Sequence, residues 1–96
     1  MKSWNELKQE LGRSPEAQAG YEKARAAYEF GKQVRELREA RGWSQAHLAS
    51  LLGTTQSAIA RLEAGGSDPR LSTIQRMSAL FGVPFTVGGK NIAAAS

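Results

Sequence analysis

The chain of 96 residues contains no cysteine and only three prolines. The absence of cysteine excludes a disulfide scaffold, a thiolate zinc site and a thiol nucleophile. No apolar run approaches the roughly 18 residues that a membrane span needs, and the N-terminal residues lack the apolar stretch of a secretion signal. A chain without cysteine also fits a reducing compartment. We therefore expect a cytoplasmic protein with no membrane partner.

Residues suited to catalysis are equally scarce. His47 is the only histidine, and the sequence shows no complete Ser-His-Asp set around it. A metal site would need a second ligand at helical spacing, and no second imidazole is present. No phosphate-binding Gly-x-x-x-x-Gly-Lys loop is present, and no pair of acids lies in a plausible cleft. We expect no catalytic residue, no metal, no cofactor and no enzyme activity.

The composition is that of one small folded domain. Hydrophobic residues make up 41% of the chain, which is enough for a small core. Because so short a chain buries only part of its surface, a dimer partner would stabilise it. Thirteen Lys and Arg against nine acidic residues give a net charge of +4. Beyond residue 43 the acids are Glu63 and Asp68 alone, and this balance favours a polyanionic partner.

Start and stop signals predict a mostly helical chain. A short helix begins at Ser3, and a second start at Ser14-Pro15 opens a run of good helix formers that ends at Gly42. Gly20 and Gly31 interrupt this run, so it is one kinked helix or two.

The end of the chain predicts one more helix and a short strand. This helix, the fourth when counted from the long one, begins at Ser72 and ends at Gly82. Its apolar stripe, which we expect in the core, consists of Leu71, Ile74, Met77, Leu80 and Phe81. Residues 83–87 alternate as a short strand, and the glycines and alanines after them predict a frayed end.

Two helices of about nine residues, capped by Ser44 and Thr55 and joined at Gly53, form a helix-turn-helix pattern. Ala49 is small where the helices cross, and Ile59 and Leu62 anchor the second helix. The residues left to face outward, and free to enter a major groove, are Gln56, Ser57, Ala60 and Arg61.

The stretch from Gly42 to Gly65, GWSQAHLASLLGTTQSAIARLEAG, resembles the Cro/CI (XRE) repressor family. The resemblance implies an all-α bundle of four to five helices with an N-terminal helical extension and a short C-terminal strand. It divides the chain into an arm at 1–29, a DNA-binding domain at 30–83, and a strand with a frayed tail at 84–96. A protein of this kind binds double-stranded DNA and lies near the nucleoid.

The resemblance also implies individual roles. Gln56 would read adenine, and Ser57, Ala60 and Arg61 complete the base-reading set. Arg38 and Glu63 match a structural ion pair, and Trp43 matches an apolar residue that closes the core. Gln45 matches a glutamine that contacts phosphate and braces the first residue of the reading helix. Contacts to the DNA backbone are expected from Ser44, Gln45, Thr55 and Arg70.

The arm leaves two interpretations open: it folds on the long helix or supports a homodimer, or it docks a second protein. The overall layout is similar to antitoxins of the HigA type, which would make the chain neutralise a RelE/HigB-like ribonuclease toxin and repress its own operon. The alternative is a stand-alone phage- or plasmid-type repressor. Either would bind a palindromic operator as a homodimer, with contacts from the fourth helix and the Pro84–Val87 strand. The residues assigned to toxin binding are Trp4, Leu7, Leu11, Tyr21 and Tyr28.

Overall fold

A computed structural model describes residues 15–93, in which four helices precede a two-stranded hairpin. The predicted all-α bundle of the Cro/CI type with a C-terminal strand is thereby confirmed. Trp4, Leu7 and Leu11 lie outside the described residues. The elements are α1 (Pro15–Ala40), α2 (Gln45–Leu52), α3 (Gln56–Glu63), α4 (Leu71–Phe81), β1 (Phe85–Val87) and β2 (Lys90–Ile92).

Helix α1 is a single helix of 26 residues, which answers the question that its two internal glycines raise. Pro15 takes the first position, where its missing N–H costs nothing, and Glu16 lies beside the positive end of the helix dipole. Its solvent face carries ion pairs four residues apart, as mixed charge at that spacing predicts: Arg25–Glu29, Lys32–Glu36 and Arg35–Glu39.

Gly31 lies where α1 meets the end of α3. A Cβ atom at this position would lie 2.3 Å from the carbonyl oxygen of Leu62 and 2.8 Å from that of Glu63. Only a residue without a side chain allows the two backbones to approach this closely. The glycine that the sequence presents as a weak point of the helix is therefore a packing contact.

The caps of the helix-turn-helix are those that the sequence predicts. The hydroxyl of Ser44 accepts a hydrogen bond from the backbone N–H of His47, and that of Thr55 accepts one from Ala58. Between them Gly53 ends α2 with φ of 68°, in the left-handed region that glycine adopts without strain. These local signals set the length of both short helices.

The core lies between α1, the three short helices and β1. Ala49, the small residue predicted at the helix crossing, is buried. The rings of Phe30 on α1 and Phe85 on β1 stand 5.2 Å apart, which ties the hairpin to the long helix. The largest fully buried side chains are Phe30, Val34, Leu48, Ile59, Met77 and Phe85.

Helix α4 corrects the predicted stripe at one position. Ile74, Met77 and Phe81 are buried as expected, but Leu71 is 57% exposed. The helix begins at Leu71 rather than Ser72, and no side chain caps it. The stripe therefore covers the core only from Ile74 onward.

The predicted frayed end after Val87 is wrong for residues 88–92, which turn back into β2. Gly88 and Gly89 adopt φ of 59° and 81°, and two left-handed residues in a row are what a tight hairpin turn requires. Strand β2 pairs antiparallel with β1, with Phe85 opposite Ile92 and Val87 opposite Lys90. The Gly-Gly pair is a hairpin signal in the sequence, and the prediction of a frayed end overlooked it.

The outer edge of β1 is occupied by a side chain of α1. The amide of Gln33 donates to the carbonyl oxygen of Thr86 at 2.6 Å and accepts from the Thr86 N–H at 3.0 Å. Gln33 thus takes the place of a neighbouring strand. The prediction that the Pro84–Val87 strand pairs across a two-fold axis is therefore wrong at Thr86, since both backbone groups are already used.

We expect Gly31→Ala to lower the free energy of unfolding by about 1–3 kcal/mol, the usual cost of forcing extra atoms into a packed contact. The matched control is Gly20→Ala, because a Cβ at Gly20 meets nothing within 4 Å. That change should stabilise the helix by about 0.4–1 kcal/mol. Urea denaturation followed by circular dichroism measures both. Equal effects of the same sign would contradict the contact between α1 and α3.

Candidate nucleic-acid interface

Helix α3 presents polar side chains to solvent and packs its other face into the core. Ile59 and Glu63 are buried, 2% and 7% exposed. Gln56, Ser57 and Arg61 are exposed, and Ala60 is half-buried. The four residues assigned to base reading thus share the outer side of one short helix, which is the arrangement that entry into a major groove requires.

The residues assigned to the DNA backbone surround the start of α2 and α3. Ser44, Thr55 and Arg70 are exposed, and Gln45 is half-buried. The hydroxyl oxygens of Ser44 and Thr55 accept cap hydrogen bonds, so each hydroxyl proton is still able to reach a phosphate. The backbone N–H groups at the start of α3 add the partial positive charge of a helix N-terminus.

Behind this surface lies a buried ion pair between Arg38 of α1 and Glu63 of α3. The Arg38 Nε donates to Glu63 Oε2 at 2.7 Å and the Nη2 donates to Oε1 at 3.0 Å, with the side chains 12% and 4% exposed. Arg38 also donates to the carbonyl oxygen of Trp43. The hydrogen bond to Glu63 raises the pKa of Arg38, while burial acts in the opposite direction. This pair joins the long helix to the end of α3.

The ion pair continues into a chain of hydrogen bonds that reaches the outer surface. Gln45 Nε2 donates to Glu63 Oε1 at 3.1 Å, and Gln56 Nε2 donates to Gln45 Oε1 at 2.6 Å. We call the four side chains Arg38, Glu63, Gln45 and Gln56 the polar relay. It connects the core of the protein to the first residue of α3.

Two arginines donate hydrogen bonds to helix ends, and the sequence did not predict these contacts. The Arg41 guanidinium donates to the carbonyl oxygen of Phe81 at 2.7 Å and lies over the rings of Trp43 and Phe81. Arg76 donates to the carbonyl oxygen of Leu52. Both satisfy carbonyls at the end of a helix, where cations are favoured. The carbonyl that Arg41 contacts is 40 residues away along the chain, and the one that Arg76 contacts is 24 residues away. A local sequence pattern does not reveal partners at such separations.

Trp43 and His47 lie beside this surface. The Trp43 ring is half-buried, 5.7 Å from the ring of Phe81, which fits the predicted role of closing the core. His47 is exposed and its ring stands 5.3 Å from that of Trp43. Within residues 15–93 no group of three His, Cys, Asp or Glu side chains is placed to hold a metal ion.

Of the residues assigned to toxin binding, Tyr21 and Tyr28 lie in the described part of the chain, on α1. Tyr21 is 3% exposed, and a ring so deeply buried offers little surface to a second protein. Tyr28 is half-buried, and its backbone lies against Gly65, whose Cβ would meet the Tyr28 Cα at 3.0 Å. The assignments of Tyr21 and Tyr28 both stay predictions. No helix in the described part of the chain is long and apolar enough to cross a membrane.

The fold and this surface define a protein with a helix-turn-helix domain. Comparison with known families agrees: residues 34–87 match the family Helix-turn-helix (HTH_3), and the chain belongs to this family. The predicted Cro/CI (XRE) membership is thereby confirmed.

Several relatives carry the same domain. The SPbeta prophage-derived HTH-type transcriptional regulator YonR of Bacillus subtilis is 33% identical over 54 residues, which are 56% of this chain and 50% of YonR. PuuR of Escherichia coli, also an HTH-type transcriptional regulator, is 38% identical over 53 residues, 55% of this chain and 29% of PuuR. The HTH-type transcriptional regulator Rv0023 of Mycobacterium tuberculosis is 39% identical over 54 residues, 56% of this chain and 21% of Rv0023.

The matched part is half or less of each of these relatives. The family match begins at residue 34 and so leaves most of α1 outside it. No solved structure matches the chain.

We expect Arg38→Met to lower the free energy of unfolding by about 3–5 kcal/mol, because it leaves the Glu63 carboxylate buried without its partner. The double variant Arg38→Met/Glu63→Met should recover most of that loss, since it removes both charges. Arg35→Met is the matched control, because the Arg35–Glu39 pair is solvent-exposed and contributes little. Chemical denaturation compares the three. A double variant no more stable than the single one would contradict a buried charge pair.

Proposed function

We propose that the chain is a sequence-specific repressor that binds a palindromic operator overlapping a promoter. The observation that carries this proposal is the exposure of Gln56, Ser57 and Arg61 on a helix whose other face is fixed in the core. Repression follows sterically, because a protein bound over a promoter excludes the polymerase.

The chemistry of the exposed side chains supports specific readout. The Gln56 amide offers an acceptor and a donor, which match adenine N6 and N7, and the Arg61 guanidinium matches guanine O6 and N7. Ala60 supplies a small apolar contact suited to a thymine methyl group. Ser44, Gln45, Thr55 and Arg70 would hold the sugar-phosphate backbone and fix the position of α3.

We expect Gln56→Ala and Arg61→Ala each to weaken operator binding by about 1–3 kcal/mol while leaving binding to scrambled DNA nearly unchanged. Arg70→Ala should weaken binding to all sequences and reduce the slope of log affinity against log salt concentration by about one, because it removes a phosphate contact. Fluorescence anisotropy titrations at several salt concentrations separate the two effects. Equal losses on operator and scrambled DNA would show that Gln56 and Arg61 do not read bases.

We further propose that the repressor is a homodimer joined at the free edge of β2. Since Thr86 and Asn91 oppose each other and the Thr86 backbone groups face Gln33, the N–H and C=O of Asn91 face the other edge of the hairpin. Two copies related by a two-fold axis at Asn91 would exchange two hydrogen bonds between these groups. Lys90 would then lie opposite Ile92 of the second copy, so the lysines would not oppose each other directly.

We expect Asn91→Pro to convert the dimer to a monomer, because proline lacks the N–H that would cross the axis. The variant should still fold, since proline is tolerated on an edge strand where its nitrogen faces away from the ladder. Asn91→Thr, which keeps the N–H, is the control and should remain dimeric. Light scattering after size-exclusion chromatography gives the masses. An Asn91→Pro dimer as stable as the wild type would place the interface elsewhere.

The antitoxin function is a second candidate. It is supported by the resemblance of the layout to HigA-type antitoxins and by α1, which begins at Pro15, 19 residues before the matched domain at 34. This part of α1 provides surface that operator binding does not need. Purification from the native host, followed by the mass of the complex, distinguishes the candidates. A bound RelE-like ribonuclease supports the antitoxin, and a chain alone that still represses supports the stand-alone repressor.

A further inference from the structure

Two glycines follow α3, and the backbone conformation accounts for only one of them. Gly65 has φ of 75°, in the left-handed region, and a Cβ there would lie 3.0 Å from the Cα of Tyr28. Gly66 does not have a positive φ, so an alanine could adopt its backbone conformation. The three nearest heavy atoms that a Cβ at Gly66 would meet all belong to Arg61. Glycine at this position therefore provides room for Arg61.

The stem of the Arg61 side chain lies across the backbone of Gly66. A Cβ at Gly66 would lie 3.0 Å from Arg61 Cγ and 3.9 Å from Cδ. Two hydrogen bonds hold the loop in this place: the Gly66 N–H donates to the Arg61 carbonyl oxygen at 2.9 Å, and the Gly65 N–H donates to that of Leu62 at 3.1 Å. At a helix end of this kind the residue at the position of Gly66 often packs its side chain against the one at the position of Arg61. Because Gly66 has no side chain, the Arg61 stem occupies that space itself.

The guanidinium group at the end of this stem is available to a ligand. Arg61 is exposed, and within residues 15–93 its guanidinium forms no ion pair or hydrogen bond. The guanidinium groups of Arg38, Arg41 and Arg76, by contrast, are bonded within the fold. A flexible side chain loses rotamer freedom when it binds, and a stem that already lies against the backbone loses less. Arg61 thus combines a positioned stem with an available guanidinium.

We propose that Gly66 is a positioning residue that directs Arg61 to the base it reads, an inference that rests on the proposed operator binding. The rigid fork of the guanidinium must meet guanine O6 and N7 together, so the match depends on the direction from which the stem arrives. Gly66 fixes that direction by leaving its backbone open to the stem. A β-carbon at position 66 would push Arg61 Cγ aside, and the guanidinium would reach a different place in the groove. Gly66 itself contacts no base.

The variant that tests this role is Gly66→Ala, which adds one β-carbon at the contact. The wild-type protein first selects an operator from a pool of random duplexes. Arg61→Ala and Gln56→Ala then identify the base pair that each side chain reads, as the one whose substitution no longer matters. We expect Gly66→Ala to lower the affinity ratio at the Arg61 base pair about fivefold or more, at the low end of one bidentate contact. The ratio at the Gln56 base pair should stay within about twofold of the wild type, as for an independent site.

The matched control is the double variant Gly66→Ala/Arg61→Ala. If Gly66 acts through Arg61, the added β-carbon changes neither affinity ratio once the Arg61 side chain is gone. Urea denaturation checks the fold of Gly66→Ala. Its unfolding midpoint should stay close to that of the wild type, because the backbone accepts alanine and the nearest atom belongs to a side chain that can move.

The outcomes are distinguishable. A wild-type protein that selects no sequence would refute the proposed operator binding, and with it this inference. An operator in which no base pair depends on Arg61, or one at which Gly66→Ala keeps the wild-type ratio, would overturn the role of Gly66 and leave operator binding intact. Equal losses at both base pairs, or a loss in the double variant, would overturn it as well, since they indicate a general disturbance of α3. A Gly66→Ala protein that does not fold would show that the backbone needs this glycine, and not Arg61.

Discussion

The rest of the structure depends on one buried carboxylate, that of Glu63. An acid at the last position of α3 lies at the negative end of the helix dipole, and its side chain is 4% exposed, so both effects disfavour its charge. Only a close cation compensates, and Arg38 provides it with two hydrogen bonds. The geometry of the site therefore requires that α1 continue far enough to bring Arg38 to the end of α3.

Helix α1 holds the end of α3 at two points that share one face. Gly31 and Arg38 are seven residues apart, or two turns. At Gly31 the absence of a side chain lets α1 contact the last carbonyls of α3, and at Arg38 a long side chain reaches its terminal carboxylate. A backbone contact and an ion pair on the same face fix both the distance and the rotation of α3. This explains why the outward face of so short a helix is well defined.

The features that the sequence predicted correctly are those that depend on local interactions. The caps at Ser44 and Thr55 depend on residues three positions away, and the outward set on α3 follows from the helical period once Ile59 is buried. The sequence did not predict the features that depend on residues far away along the chain. The packing role of Gly31 depends on Leu62, and the closed edge of β1 depends on Gln33, 53 residues from Thr86.

The candidate site also combines features that the sequence predicts with features that it does not. That Gln56 faces outward was predictable from periodicity, whereas the side of its amide that carries the donor was not. The Gln56 amide donates to Gln45, Gln45 donates to the Glu63 carboxyl group, and Glu63 accepts from Arg38 of another helix. Leu71 shows where periodicity fails. It fits the apolar period of α4 and is still exposed, because periodicity identifies the face of a helix and not the point along it at which the core ends.

The arginines show why net charge alone does not locate a nucleic-acid surface. Arg38, Arg41 and Arg76 direct their guanidinium groups to a carboxylate or to helix-end carbonyls, so their geometry is committed to the fold. They remain charged and add to the long-range attraction of a polyanion. Close phosphate contacts, which determine how strongly salt weakens binding, need side chains that face solvent, as Arg70 does. The salt dependence of binding should therefore follow exposed phosphate-contacting side chains of this kind more closely than the total charge of +4.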